Sequence, residues 1–141
     1  MSYKTFELEI KILPNDIDEN GHVNNITYLK WVQDIAIAHW TNVATAEMKT
    51  QLLWVVSRHE IDYLKSAYLN SKLIAKTWVT DPEGAKSFRY VEIIDTETNT
   101  IITKIKTTWY LLDANSKRPK IKTFFKPNLS ARIPIGNANS A

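Results

Sequence analysis

A chain of 141 residues is long enough for one domain with a substantial core and too short for two ordinary domains. Its net charge of +3 comes from 18 basic and 15 acidic residues that are interspersed, so we expect no nucleic-acid partner. Because cysteine is absent, a disulfide framework, a thiolate zinc site and a cysteine nucleophile are excluded. The sequence has neither the apolar run of a signal peptide nor a stretch of roughly 18 apolar residues, so we expect a cytoplasmic protein with no membrane partner.

The first half of the chain predicts one strand and one long helix. Apolar and charged residues alternate over residues 6–12, which is the period of a strand with one buried face. Pro14 then ends the strand. From residue 26 to about residue 46 the apolar residues follow helical spacing and cover most of the circumference, so this helix should be buried on most sides. Either Asn24 or Asn25 can cap its first turn.

The second half predicts an antiparallel sheet. Four strand-like segments separated by turn residues lie at residues 52–64, 72–80, 86–95 and 100–113. Short hairpins join the last three, which must therefore form a meander. The predicted fold is α+β, with one long central helix wrapped by an antiparallel sheet of about five strands. We expect a single domain over residues 1–135 and a flexible tail over residues 136–141, because the carboxy-terminal residues lack periodicity.

The polar segment DIDENGHVNN, at residues 16–25, separates the first strand from the helix and is the strongest candidate for a site. One interpretation is a calcium-binding loop, since Asp16, Asp18, Asn20 and Gly21 match the first half of the EF-hand pattern. The twelfth position of that pattern requires a bidentate glutamate, whereas this chain has Thr27. A strand also precedes the segment where an EF-hand has a helix. The calcium interpretation is therefore disfavoured.

The second interpretation is the catalytic turn of a hydrolase. The segment leads into the amino end of a long buried helix, where unpaired backbone amides and the positive end of the helix dipole can stabilise an oxyanion. A carboxylate placed there can attack a carbonyl group or activate water.

The residues of this segment and those that follow carry a resemblance to a known family. DIDENGHVNNITYLKW resembles the signature of the hotdog-fold thioesterases, both the 4-hydroxybenzoyl-CoA thioesterase-like acyl-CoA thioesterases and the acyl-ACP thioesterases. The likeness continues through VVSRHEIDYLKSAYLNSKLIAKTWV, KSFRYVEIID and TKIKTTWYLLD, and covers roughly residues 5–135. It implies the hotdog fold, hydrolysis of acyl-CoA to a carboxylic acid and free CoA, a homodimer or homotetramer, and neither a cofactor nor a metal.

The resemblance also implies roles for individual residues. Asp18 matches the catalytic acid of both branches and is expected to act as nucleophile or general base. Asn20 and His22 match the residues that act with this acid in the acyl-ACP branch. Asn20 is expected to orient the acid or water, and His22 to form a hydrogen bond or to transfer a proton. Asp16 is expected to be structural, since Asp side chains often accept backbone amides in turns. Substrate-binding candidates are Gly21, Asn25, Tyr28, Arg58 and Arg89, the two arginines for the phosphates of CoA.

Several alternatives remain open from the sequence. Asp18 can attack the thioester directly and form a mixed anhydride, or it can activate water in one step. The chain has room for one hotdog domain, whereas acyl-ACP thioesterases typically have two in tandem, so its length favours CoA as the carrier without excluding ACP. A non-hydrolytic acyl-CoA-binding protein and a dehydratase of the same fold are further alternatives. Neither the acyl length nor an aromatic or aliphatic character follows from the sequence.

Overall fold

The computed structural model describes residues 3–120. The predicted flexible tail at residues 136–141 lies outside the described residues, as does the predicted end of the domain at residue 135. No helix within residues 3–120 is both long and apolar enough to cross a membrane.

Residues 3–120 form five strands, two helices and one 3₁₀ turn. In chain order these are β1 (Phe6–Ile10), the 3₁₀ turn (Pro14–Asp16), α1 (Asn25–Val43), α2 (Ala46–Gln51), β2 (Leu52–Tyr63), β3 (Leu73–Val79), β4 (Lys86–Asp95) and β5 (Thr100–Asp113). The predicted elements are all present, and β1 is two residues shorter than predicted. The predicted helix ends at Val43, about three residues earlier than expected. A short helix that was not predicted, α2, follows it, and the Thr45 side chain caps α2 by accepting a hydrogen bond from the Met48 amide at 3.1 Å.

The five strands form one sheet in the order β1-β3-β4-β5-β2. Every neighbouring pair is antiparallel, so the predicted meander of β3, β4 and β5 is confirmed. The strand that enters α1 and the strand that follows α2 therefore lie at opposite edges of the sheet. The edge formed by β2 is 12 residues long, whereas the edge formed by β1 has 5 residues.

The inward face of the sheet packs against α1 in two hydrophobic clusters. The first involves the amino-terminal half of α1 and contains Tyr28, Trp31, Val32 and Ile35, with apolar residues of β1, β3, β4 and β5 around them. The second contains Ala36, Trp40, Met48, Leu52, Trp54, Trp109 and Leu111. The first cluster lies directly behind the polar segment, because Val23 at the end of that segment is one of its members. This packing fixes the start of α1 against the sheet.

A polar group of side chains is also buried between α1 and the sheet. Arg89 on β4 is fully buried and donates hydrogen bonds to Thr77 Oγ1 at 2.8 Å and to His39 Nδ1 at 3.1 Å. Because arginine has only donors, His39 Nδ1 must be the acceptor, and its ring must be neutral. Burial, and then the charge of Arg89, lower the pKa of His39 to about 3. The His39 ring also stacks on Phe6, with the ring centroids 4.9 Å apart.

The position of Arg89 corrects one expectation from the sequence. Burial lowers the pKa of Arg89 to about 9, which still leaves its guanidinium group charged at neutral pH. A guanidinium group enclosed between α1 and the sheet cannot reach a phosphate of CoA, so Arg89 does not fit the phosphate-binding role. Its contacts with His39 and Thr77 give it a structural role instead.

Candidate active site

The polar segment folds back on itself as a small closed loop. An isolated antiparallel bridge joins Ile17 to Val23, and within it the Asp18 amide donates to the His22 carbonyl at 2.8 Å. The Gly21 amide closes the turn by donating to the Asp18 carbonyl at 3.0 Å. Gly21 has a φ of +82°, the left-handed region that side chains disfavour, although a Cβ there would meet no atom within 4 Å. The turn therefore requires glycine for its backbone conformation and not for space.

Replacing Gly21 with alanine should strain this turn without a steric clash. We expect Gly21→Ala to lower the free energy of unfolding by about 1 kcal/mol, because an L-residue at this φ costs about 1–2 kcal/mol. Urea denaturation measures the change. Glu19→Ala, on the same exposed turn, is the control and should stay within about 0.5 kcal/mol of the parent. Equal effects of the two substitutions would mean that the conformation of Gly21 is not the cause.

The Asp18 carboxylate is oriented by the loop that carries it. Its Oδ1 accepts hydrogen bonds from the Asn20 amide at 2.8 Å and from the His22 amide at 3.2 Å. Within residues 3–120 no donor contacts Oδ2. One carboxylate oxygen therefore fixes the side chain, and the other is available to a ligand.

A cavity of about 430 Å³ lies between this loop, the amino end of α1 and the end of β2. Its walls are formed by Asp18, His22, Val23, Asn24, Asn25, Tyr28, Tyr63, Leu64, Lys65 and Ser66. Of the residues predicted for the site, Asp18, His22, Asn25 and Tyr28 are thus brought together at one cavity. A cavity at a helix amino terminus with a carboxylate in its wall suits reactions in which negative charge develops on a bound carbonyl group.

The amino end of α1 supplies a backbone donor to this cavity. Asn24 is the cap, since its side chain accepts a hydrogen bond from the Ile26 amide at 3.2 Å, and Asn25 is the first helical residue. The Asn25 amide has no hydrogen-bond acceptor among the described residues. Such an amide, at the positive end of the helix dipole, is a natural donor to an oxyanion.

Not every predicted residue reaches the cavity. Asn20 and Gly21 shape the loop but do not line the cavity. Asp16 accepts a hydrogen bond from the Leu13 amide at 2.9 Å, which agrees with the structural role expected of it. Arg58 is exposed on β2, 3.8 Å from Glu60, and lies outside the cavity wall.

The segment between β2 and β3 contributes residues that sequence reasoning missed. Lys65 is the basic side chain in the cavity wall, and Ser66 lies beside it. The Tyr68 ring packs edge-on against His22, with the centroids 5.2 Å apart. The Val23 amide donates to the Ala67 carbonyl at 2.8 Å and so holds the two segments together. This connection has no periodicity in the sequence that would indicate its partner.

The structure also bears on the calcium interpretation. The segment is preceded by β1 and a 3₁₀ turn, so the first helix of an EF-hand is missing. Within the part of the chain that the structure describes, no three His, Asp or Glu side chains are grouped so as to hold a metal ion.

Comparison with known proteins identifies the family. The family model of the acyl-ACP thioesterase N-terminal domain matches residues 3–123. The chain belongs to this family. It is a thioesterase of the hotdog fold, as the resemblance in its sequence predicted. A comparison with curated protein sequences gives no match.

Solved structures with the same fold include thioesterases that act on different carriers. A DHNA-CoA thioesterase from Staphylococcus aureus is 21% identical, with a TM-score of 0.74 over 94% of this chain and 89% of that one. A thioesterase from Thermus thermophilus, complexed with coenzyme A and Zn, is 17% identical, with a TM-score of 0.75 over 94% of this chain and 98% of that one. The 12:0-ACP thioesterase from Umbellularia californica is 17% identical, with a TM-score of 0.76 over 96% of this chain and 52% of that one.

Proposed function

We propose that this thioesterase hydrolyses acyl-CoA at the cavity beside the amino end of α1, with Asp18 as nucleophile or general base. The observation that carries the proposal is the orientation of the Asp18 carboxylate. Two backbone amides hold its Oδ1, and no described donor occupies its Oδ2 beside the cavity. A thioester is already activated, so placing a nucleophile and binding the developing oxyanion account for most of the catalysis that is required.

The arrangement supports an assignment of roles to the neighbouring groups. The thioester oxygen accepts a hydrogen bond from the Asn25 amide, so that negative charge develops at the helix amino terminus. His22 lines the same cavity, and its backbone amide donates a hydrogen bond to Asp18 Oδ1. Its side chain donates a proton to the leaving thiolate. Asn20 acts through the loop, because its amide orients Asp18 while its side chain stays outside the cavity.

Two routes are consistent with this geometry. In the first, Asp18 Oδ2 attacks the carbonyl carbon, the C–S bond breaks, and water hydrolyses the resulting mixed anhydride. In the second, Asp18 removes a proton from water, which attacks the carbonyl carbon in one step. A single turnover in water labelled with ¹⁸O distinguishes them. Label in the Asp18 carboxylate contradicts the one-step route, because water places its oxygen there only by attacking the Asp18 carbonyl carbon of the anhydride.

The second candidate carrier is ACP. The family match favours it, since the matching model is that of acyl-ACP thioesterases. One observation favours CoA: Lys65 in the cavity wall offers a cation to a phosphate. Comparing kcat/KM for one acyl group on CoA and on ACP decides between them. A preference for ACP would replace the carrier in our proposal and leave the chemistry of Asp18 unchanged.

We also propose that the protein is a homodimer, or a tetramer built from such dimers, and that the β2 edge joins two protomers. β2 is a long edge strand, and unpaired edges of this length usually pair with another chain. Because Tyr63 ends β2 and also lines the cavity, a partner on this edge would lie beside the active site.

Sedimentation equilibrium at micromolar concentration is expected to give at least twice the mass of the chain. Specific activity should fall on dilution below the dissociation constant, because separation of the protomers removes one wall of the site. A monomer with full activity at every concentration would contradict this assembly.

A further inference from the structure

The walls of the cavity are unusually polar for an acyl pocket. Eight of its ten residues have polar side chains, and only Val23 and Leu64 are aliphatic. Ligand pockets are normally lined mostly by apolar side chains with a few polar groups that fix orientation. Four of the polar residues, Asn25, Tyr63, Lys65 and Ser66, are exposed and keep water as a partner, whereas Tyr28 is buried. A plain hydrocarbon chain beside Tyr28 would leave its hydroxyl proton without an acceptor, which costs free energy. The acyl group that fits this cavity therefore carries polarity of its own.

The deepest polar group of the cavity is the Tyr28 hydroxyl. Tyr28 lines the cavity although only 2% of its surface is exposed. Its ring is held edge-on by Trp31, with the centroids 5.3 Å apart, and is tilted against Tyr63 at 5.8 Å. Burial raises the pKa of Tyr28, while Thr103 and the Ala67 backbone lie close enough to oppose that shift. The hydroxyl therefore keeps its proton at neutral pH and can donate it to a ligand.

Thr103 lies behind Tyr28 and is the second observation. Its side chain is fully buried, and its hydroxyl lies close to that of Tyr28 without a well-aligned hydrogen bond to it or to any other group of residues 3–120. Thr103 is paired in the sheet with Tyr63, which is itself part of the cavity wall. A buried hydroxyl without a partner is uncommon in a folded protein and calls for an explanation.

Two other buried polar atoms of the described residues also lack a hydrogen-bond partner, but they lie away from the cavity. They are Ser87 Oγ and Trp109 Nε1. Trp109 belongs to the second hydrophobic cluster, and Ser87 is paired with it in the sheet. Neither lines the cavity, whereas Thr103 adjoins the Tyr28 hydroxyl.

We infer that Tyr28 determines substrate specificity by donating a hydrogen bond to an oxygen atom carried by the acyl group, and that Thr103 positions the Tyr28 hydroxyl for this bond. The substrate class is then an acyl thioester with a hydroxyl or keto oxygen on its acyl group. Thr103 donates to the Tyr28 oxygen, so the Tyr28 proton points away from Thr103 and is the donor that a bound substrate oxygen can accept. This inference rests on the proposed function, because it places the acyl group in the cavity that contains Asp18.

The test compares substrates that differ by one oxygen atom. Butyryl-CoA is paired with 3-hydroxybutyryl-CoA, and benzoyl-CoA with 4-hydroxybenzoyl-CoA. We expect kcat/KM to favour the oxygenated member of at least one pair by about tenfold or more, because a site that hydrogen-bonds a substrate hydroxyl discriminates strongly against the analogue that lacks it. Tyr28→Phe should bring this ratio to about one.

Variants of Thr103 separate positioning from folding. Thr103→Val keeps the shape of the side chain, removes the hydroxyl and should lower the ratio, whereas Thr103→Ser keeps the hydroxyl and should restore it. No preference in the parent, or a preference that persists in Tyr28→Phe, would overturn the inference and leave the proposed hydrolysis standing. Hydrolysis of a long-chain acyl-CoA but of none of the four thioesters would overturn the inference alone, whereas hydrolysis of no acyl-CoA at all would overturn the proposed function with it.

Discussion

Asp18→Asn is expected to lower kcat/KM for the best acyl-CoA substrate by about 10²–10⁴-fold, the range typical of removing a catalytic acid or base. The fold should be kept, because the amide oxygen of asparagine can accept the same bonds from the Asn20 and His22 amides that Asp18 Oδ1 accepts. The loss of activity then comes from the replacement of Oδ2 by the NH₂ group of asparagine, which is neither a nucleophile nor a base. A panel of short, medium, long and aromatic acyl-CoA thioesters, followed by the release of free thiol, measures the effect.

The matched control is Asp16→Asn. Asp16 precedes Asp18 by two residues, accepts a backbone amide through its side chain and does not line the cavity. Its substitution should change kcat/KM by less than about threefold, since the amide oxygen keeps the bond to Leu13. Urea denaturation of both variants verifies that they are folded. If Asp18→Asn retains parental activity, or if both substitutions lower activity equally, Asp18 is not the chemical group.

The second large effect concerns stability at acid pH. Burial and Arg89 lower the pKa of His39 to about 3 in the folded protein, whereas an unfolded histidine titrates near 6.5. Between these values the unfolded chain binds a proton that the folded protein does not. The stabilising contribution is therefore complete above the unfolded pKa and is lost as the pH falls towards 3. From pH 7.5 to pH 5 we expect the free energy of unfolding to fall by roughly 2 kcal/mol from this group.

Urea denaturation at the two pH values measures the effect, with His39→Gln as the comparison. Glutamine can accept the hydrogen bond from Arg89 but does not titrate. Between the two pH values, the free energy of unfolding of His39→Gln should therefore fall by about 2 kcal/mol less than that of the parent. Burial also lowers the pKa of His59, so His59 adds a pH dependence of the same sign to the stability of both the parent and the variant. The comparison cancels this contribution. Identical pH dependence of the two proteins would show that His39 is not the cause.

The elements and their order could be read from the sequence because their signals are local. Alternation predicted β1, the boundaries of β4 and β5 were predicted to the residue, and the polar segment indicated the position of the candidate site. The short helix α2 was missed, since it has only six residues and its cap at Thr45 is a single hydroxyl.

The interior of the site could not be read in the same way. Arg89 was expected at the surface because arginine is rarely buried, and only the positions of His39 and Thr77 explain its burial. Lys65 reaches the cavity through a backbone contact between Val23 and Ala67, which are far apart in the chain. Neither contact leaves a period or a motif in the sequence.

The division of the interior into two hydrophobic clusters has a consequence for engineering the enzyme. Tyr28 and Val23 connect the first cluster to the cavity, whereas the second cluster, around Trp40 and Trp109, has no residue in the cavity wall. Thermal tolerance could therefore be raised by repacking the second cluster while the dimensions of the cavity at the candidate site stay as they are. Directed evolution for new substrates would draw on the first cluster, and the two searches could proceed in parallel on the same chain.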